Sequence, residues 1–339
     1  MKISIQSVSP SRILCAILAP VLLLVTACHT PTSRPSVPQS APVALEKAAP
    51  SSSLTVCSFN IQFLGHFTKK DHQALADLVK DYDLVVIQEL IASPASTGST
   101  RQRAKLFFDA MAAHGFSYVL SESDTGKKGP LPNYTTATEW FVTFFKPGRV
   151  SSVSDLPHGF ISSPLAANPD FVRVPYASAF RSTGGGCDFV LVSVHLEPDD
   201  AQVRAREFRA IDRWLKEQYA GQRERDFIVL GDTNLQSAAE LTANTPENFI
   251  SLNERCVQTN TIPTLKKPYD HVFLNPQFTT EVDRAFGFKV VNLIDAMRPG
   301  WKGPGPYPGS PYVHDEFRVR YSDHNPVVFR INVSGPDDD

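Results

Sequence analysis

The sequence predicts an α/β fold. Short apolar runs, 84–87, 188–194 and 227–230 among them, alternate with longer stretches whose apolar residues recur at helical spacing. Alternation of that kind means strands covered by helices. The second observation is how the apolar runs end: again and again they stop on a polar residue able to hold a metal or move a proton. Open α/β folds bind their ligands at such strand ends. The clearest case is FIVLGDTN at 227–234, four apolar residues, a glycine turn, then Asp232 and Asn234. Alone this is also ordinary turn chemistry. Its weight comes from recurrence along the chain.

In order, 54–60 read as the first strand, ending on Asn60, and 71–80 as a helix with Leu75, Leu78 and Val79 on one face. The run 84–87 is a buried strand followed by Gln88 and Glu89. Residues 101–114 are helical, with Leu106, Phe107, Ala110 and Met111 at helical spacing. A Gly-, Ser-, Pro- and Thr-rich loop over 121–138 leads to a strand at 140–145, and the proline-punctuated 146–170 reads as irregular. A buried strand at 188–194 ends on His195. The longest helix candidate, 199–219, carries Phe208, Ile211, Trp214 and Leu215 on one face. A mostly polar stretch reaches 268, then YDHVF follows at 269–273. Residues 299–312 read as a surface loop with Trp301, Tyr307 and Tyr312, aromatics able to stack on a base, dip into lipid or pack their own loop. The last strand, 325–329, follows Asp323 and His324.

No internal repeat or linker interrupts 54–333, which is read as one catalytic domain; 334–339 is expected to be a disordered tail. Residues 1–27 resemble an export leader, with Lys2 and Arg12 ahead of an apolar stretch, 13–27, too short for a membrane span. The leader ends Val25-Thr26-Ala27-Cys28, which resembles a bacterial lipobox, so Cys28 is the expected lipidation site. Residues 28–53, rich in Pro, Ser, Ala and Thr, read as a tether. The chain is expected to be exported and lipid-anchored to the bacterial envelope, facing periplasm or exterior. His29 favours the outer membrane, since inner-membrane lipoproteins usually carry Asp there. Loss of Lys2 and Arg12, with no acid in 1–27, would take the formal charge from −2 to −4. Neither value announces a nucleic-acid surface. Cys57, Cys187 and Cys256 remain; one disulfide among them is open, with no pair indicated. No Cys/His spacing of the structural-zinc kind occurs.

Asn60, Glu89, His195, Asp232 with Asn234, Asp270, and Asp323 with His324 are the candidates. Each has a plain reading as a turn residue, a solvated strand end or a hydrogen-bonded histidine. Together they carry a resemblance. The set FNIQFLG (59–65), VVIQEL (85–90), VSVHLEP (192–198), IVLGDTN (228–234), YDHVF (269–273) and YSDHNPVVF (321–329) resembles the endonuclease/exonuclease/phosphatase superfamily, motif by motif and in order. The resemblance implies a two-sheet, four-layer α/β sandwich of the deoxyribonuclease-I-like kind, acting as a monomeric phosphoester hydrolase.

It also implies roles. Glu89 would hold a divalent cation, Mg²⁺ or else Mn²⁺ or Ca²⁺, with Asn60 assisting and Asp323 nearby; hard oxygens suit these ions better than zinc. Asp232 would orient or deprotonate the attacking water. Asn234 would donate to the phosphate or the nucleophile. His324, oriented by Asp270, would face the phosphate. His195 would be the second histidine, paired with Glu139, and Arg173 a phosphate contact. Which histidine serves as acid or base stays open.

Abasic-site repair enzymes of the superfamily carry an acid where this chain has Gln62, and a Tyr/Pro/Asn-type segment where it has 193–196. Secreted deoxyribonucleases carry minor-groove Arg and Tyr residues where it has Ile91 and Ala137. Three readings therefore remain: an exported, metal-dependent nuclease of endonuclease type; a phosphodiesterase or phosphatase acting on phospholipid, sphingomyelin-type, phosphoinositide or small substrates; and, last, a lipoprotein that only binds.

Overall fold

Continuous apolar runs bounded by turn residues form strands buried on both faces, because each strand has a sheet neighbour on either side and a layer above and below. The computed structural model describes residues 52–94, 99–125, 138–184, 186–221 and 224–334. The expected leader, Cys28, nearly all of the tether, Ala137 and residues 335–339 lie outside the described residues.

The first half of the chain contributes β1 (Ser53–Leu64), α1 (His72–Val79), β2 (Leu84–Leu90), α2 (Ser99–Ala113), β3 (Ser117–Leu120), β4 (Trp140–Phe145), β5 (Val150–Ser152) and β6 (Gly159–Phe160). The second half adds β7 (Tyr176–Ser182), β8 (Asp188–His195), α3 (Ala201–Gly221), β9 (Phe227–Asp232), α4 (Ala238–Asn244) and β10 (Ile250–Ser251). It closes with β11 (Asp270–Leu274), β12 (Lys289–Val290), α5 (Leu293–Met297), α6 (His314–Arg320) and β13 (Val327–Asn332).

Two mixed sheets result. One runs β12-β13-β1-β2-β4-β3, the other β10-β11-β9-β8-β7-β5 with β6 added on β7. The pairs β1/β2 and β8/β9 are parallel, the other pairs antiparallel.

Period-two alternation sorts the side chains into layers. Leu54 and Val56 of β1, Leu84 and Val86 of β2, Leu191 of β8, Ile228 and Leu230 of β9 and Val272 of β11 meet between the sheets. The intervening residues face outward. Cys57, Phe59, Val85 and Ile87 pack with Leu75, Val79, Phe107 and Met111 of α1 and α2. Val190, Val192, Phe227 and Val229 pack with Phe208, Ile211 and Leu215 of α3. Helix, sheet, sheet, helix is the four-layer sandwich. Each such side chain, fully buried, is worth roughly 1.5–3 kcal/mol, so both strand faces contribute to stability.

Several expectations are corrected. Leu106 is 54% exposed, so the core face of α2 is Phe107, Phe108, Ala110 and Met111. The stretch 146–170 holds the short β5 and β6, and the polar stretch before 268 holds α4 and β10. Ser237 caps α4 by accepting from Glu240 N, which explains a helix in so polar a segment. The 299–312 loop turns its aromatics inward: Tyr307 is buried, and Trp301 and Tyr312 pack against the same core, Tyr312 touching Phe317. Cys57, Cys187 and Cys256 are free thiols, each against a different apolar cluster, which keeps them apart.

Candidate active site

The alternation that fills the inter-sheet core also builds the site. On β1 the inward positions run Leu54, Val56, Ser58, Asn60; on β9 they run Ile228, Leu230, Asp232; β8 ends on Ser193 and His195, and β11 begins on Asp270. At one rim the inward face thus changes from apolar to polar. Asp232 is the register partner of both His195 on β8 and Asp270 on β11. Three neighbouring strands therefore deliver an imidazole and two carboxylates side by side.

Backbone geometry at this rim is special. Gly231 has φ +136°, and a Cβ there would stand 2.2 Å from the Val194 carbonyl oxygen, so the residue before Asp232 must lack a side chain. Glu89 lies at φ +61° and Phe63 at +51°, where both strands of the β1/β2 pair break register. Positive φ in non-glycine residues is costly and collects at functional sites. Here it lets Phe63 N donate to Glu89 Oε2 at 3.0 Å.

Asn60 joins the sheets. Its Nδ2 donates to Glu89 Oε1 at 2.8 Å and to Asp232 Oδ2 at 2.9 Å. The same Asp232 oxygen lies 3.4 Å from His324 Nε2 and 3.6 Å from His195 Nε2. Behind each histidine stands a carboxylate: His324 Nδ1 contacts Asp270 Oδ2 at 2.8 Å, and His195 Nδ1 contacts Glu139 Oε2 at 2.8 Å. Asn234 N donates to Asp232 Oδ1 at 3.0 Å, while its Nδ2 donates to Leu196 O at 3.0 Å, leaving the second amide hydrogen for another acceptor.

Arg173, expected to contact phosphate, meets two of the other site residues. It is buried, with Nε on Glu139 Oε1 at 2.7 Å and Nη2 on His195 Nε2 at 3.2 Å. Burial and Arg173 oppose a charged His195, but Glu139 and Asp232 outweigh them and raise its pKa. Asp323 stands slightly apart: its Oδ2 accepts from Gln62 Nε2 at 2.5 Å and its backbone oxygen from Thr261 N at 2.8 Å.

The electrostatics follow. Burial opposes a charged His324, but Asp270 and Asp232 outweigh it and hold the imidazolium well above its ordinary range. Burial likewise opposes ionisation of Glu139, yet Arg173 and His195 bring its carboxyl down to about 2. For Glu89 burial wins and raises the carboxyl, with His195 opposing.

The donor set fits a hard cation. Glu89, His195 and Asp232 each offer an atom within 4.8 Å of the others. Asn60 Oδ1 and Asp323 Oδ1 are buried acceptors with no donor among the described residues. Such an acceptor left unsatisfied costs about 1–3 kcal/mol, which a cation would offset. His195 Nε2 already faces the Arg173 guanidinium, so the oxygens of Glu89 and Asn60, with Asp323 close by, make the better cradle.

Three residues escaped the sequence reading. Ser322 accepts from His324 N at 3.1 Å and donates to Asn60 O at 2.6 Å, tying the His324 loop to β1. Buried Lys70 donates to Tyr321 O at 2.6 Å; burial lowers it to about 7, with Asp323 and Glu89 opposing. Tyr269, half-buried, tilts its ring beside His324 at 5.7 Å between centroids. Its place directly before Asp270 was the available signal.

The sequence pattern described as the Endonuclease/Exonuclease/phosphatase family matches residues 57–324. A "Deoxyribonuclease" of Thioalkalivibrio sp. (strain K90mix) is 28% identical over 200 residues, 57% of this chain and 49% of that protein, so the chain spans about half the length of that relative. "Deoxyribonuclease gamma" of Rattus norvegicus is 22% identical over 294 residues, 83% of this chain and 86% of that protein. The crystal structure of an endonuclease/exonuclease/phosphatase family protein from Bacteroides thetaiotaomicron is similar in fold, with TM-score 0.55 and 17% identity, covering 82% of this chain and 94% of that one.

Proposed function

This chain belongs to the endonuclease/exonuclease/phosphatase family, whose members are phosphoester hydrolases, and we propose that it is a divalent-metal-dependent nuclease exported to the cell envelope. One observation carries the catalytic part: a single Asp232 oxygen within 3.6 Å of two imidazoles and bonded to Asn60. That is a poised acceptor surrounded by groups able to move protons or neutralise phosphate charge. Nucleic acid is favoured over other diesters because two relatives of this chain bear deoxyribonuclease names.

In-line hydrolysis needs an activated water, charge neutralisation on the nonbridging oxygens and help for the leaving oxygen. Asp232 accepts the water's proton, or orients it, while Asn234 N fixes the carboxylate. His324, held cationic by Asp270, faces the phosphate oxygens. Glu139 and Arg173 lock His195 at the opposite side of Asp232. Glu89 and Asn60, with Asp323 close by, would hold Mg²⁺, or Mn²⁺ or Ca²⁺. When bound, the cation supplies further charge neutralisation at the phosphate. Asp232, His324 and His195 are the catalytic residues of this reading, and Arg173 a positioning residue for His195.

The export part rests on the leader over 1–27, the lipidation site Cys28 and the tether over 28–53, which together would leave a monomeric catalytic domain over 54–333 at the outer membrane, facing periplasm or exterior. The same anchor supports a second reading, phospholipid or sphingomyelin-type cleavage. Ile91, standing where secreted deoxyribonucleases carry a minor-groove arginine, also weighs toward it.

The purified protein with Mg²⁺ or Mn²⁺, offered duplex DNA, single strands, RNA, sphingomyelin and inositol phosphates, decides between them. The nuclease reading expects shortened nucleic acid and intact lipid. Phosphocholine release with nucleic acid untouched would transfer the assignment to the second reading.

A further inference from the structure

Beside the catalytic cluster, and lined by none of its residues, lies a cavity of about 460 Å³ between the start of α1, the α2 face and the 301–303 turn. Its cationic lining is Lys69, Lys302 and Arg320 against one carboxylate, Asp71, while buried Lys70 spends its Nζ on Tyr321 O. On a chain of formal charge −2 this is a local inversion of sign. Asp71 is also engaged, its Oδ1 accepting from Ala74 N at 3.0 Å as the cap of α1. Lys69 and Lys302 are exposed, with no hydrogen bond or ion pair among the described residues. Arg320 lies 4.8 Å over the Trp301 ring, which gives the cation a flat apolar floor and no counter-charge.

The cavity is wired to the site. Arg320 O accepts from Asp71 N at 2.9 Å and Tyr321 O from Lys70 Nζ at 2.6 Å; Ser322, Asp323 and His324 follow directly. Arg320 and His324 are four residue steps apart, which at full extension is at most about 14 Å. A ligand longer than one phosphodiester can reach both.

We propose that this cavity is a second phosphate subsite, which takes a non-scissile backbone phosphate of the nucleic-acid strand cleaved at Asp232 and His324. It deepens the nuclease reading and rests on it. Single-phosphate substrates do not reach the cavity, so they gain nothing from it. Lysines unpaired at low dielectric cost suit a phosphate that arrives with its own condensed counterions, which it releases on binding.

The test compares the wild-type protein with Lys69→Gln/Lys302→Gln and Lys69→Arg/Lys302→Arg. Each is assayed in Mg²⁺ on a single-stranded oligonucleotide and on bis-p-nitrophenyl phosphate, with a salt series. In the glutamine variant the ratio of kcat/KM for oligonucleotide to that for the small diester should fall by about ten-fold. The slope of log affinity against log salt should become shallower by about 0.7, the value for one lost phosphate contact on a single strand. The arginine variant should keep ratio and slope near wild type. An unchanged ratio and slope in the glutamine variant, with the wild type cleaving the oligonucleotide, would overturn the subsite and leave the nuclease reading standing. A wild type that cleaves the small diester but no oligonucleotide would overturn both. Loss of binding to phosphatidylserine vesicles, with the oligonucleotide ratio unmoved, would overturn the proposal and turn the cavity into a membrane contact.

Discussion

Asn60 and Asp232 come from opposite sheets and meet through a 2.9 Å hydrogen bond, Asn60 Nδ2 to Asp232 Oδ2. With Glu89 held by the same amide at 2.8 Å, this bond closes the rim where the sandwich turns polar. Asn60→Ala should therefore do two things. Removing the shared donor leaves two buried carboxylates facing each other, costing roughly 1–3 kcal/mol of stability. It also deletes a cation donor, so the rise in Tm on adding Mg²⁺ should shrink relative to wild type, read by thermal unfolding with and without EDTA.

His324 keeps its charge because Asp270 stands behind it at 2.8 Å. Asp270→Asn removes that support while preserving shape. Turnover should drop by about 10²–10⁴-fold. The pH–rate profile should also shift: with the raised proton affinity lost, the limb set by His324 deprotonation moves to lower pH.

Gly231→Ala should not be tolerated. The new Cβ meets the Val194 carbonyl oxygen at 2.2 Å, and the backbone sits at φ +136°. Both effects act on the turn that sets Asp232. A loss of roughly 3–5 kcal/mol, read by urea unfolding, is the expected outcome.

Glu139 links acid stability to the site. Arg173 and His195 hold its carboxyl at about 2, below its ordinary 4.5. A depressed folded value means stabilisation that is fully present above about pH 4.5 and lost as pH falls toward 2. Glu139→Gln strands the buried Arg173 and should cost about 3–5 kcal/mol near neutrality. The gap in unfolding free energy between wild type and variant should narrow steadily from pH 5 to pH 2.

Much of the site was legible because the apolar runs end on its residues and the motifs holding them resemble a known family in order, and strand alternation is the physical reason those ends converge. Once Ile228 and Leu230 point into the sandwich, Asp232 must as well, and the same parity delivers Asn60 and His195. The four layers came from the family resemblance of the motifs, not from the runs alone. What the pattern did not carry were contacts made between segments remote in sequence. Arg173 lies in a stretch without periodicity, and only the fold shows it buried on Glu139. Ser322 and Gln62 act through hydrogen bonds to the distant Asn60 O and Asp323 Oδ2 that no local spacing encodes. β7, YASAFRS, was missed because small Ala and Ser residues hide its buried face until β8 pairs with it. Trp301 and Tyr307 looked like surface aromatics in a Gly/Pro-rich loop, and only packing on Tyr321 and Phe317 turned them inward.

The most direct measurement is single-turnover cleavage of an end-labelled oligonucleotide in Mg²⁺ by wild type and by Asp232→Asn. Wild type should cut, and the variant, which keeps the carboxylate's shape but cannot accept the water's proton, should be slower by at least about 10³-fold while unfolding at a similar temperature. Equal rates in the two proteins would contradict the assignment of Asp232 as the group around which the site works.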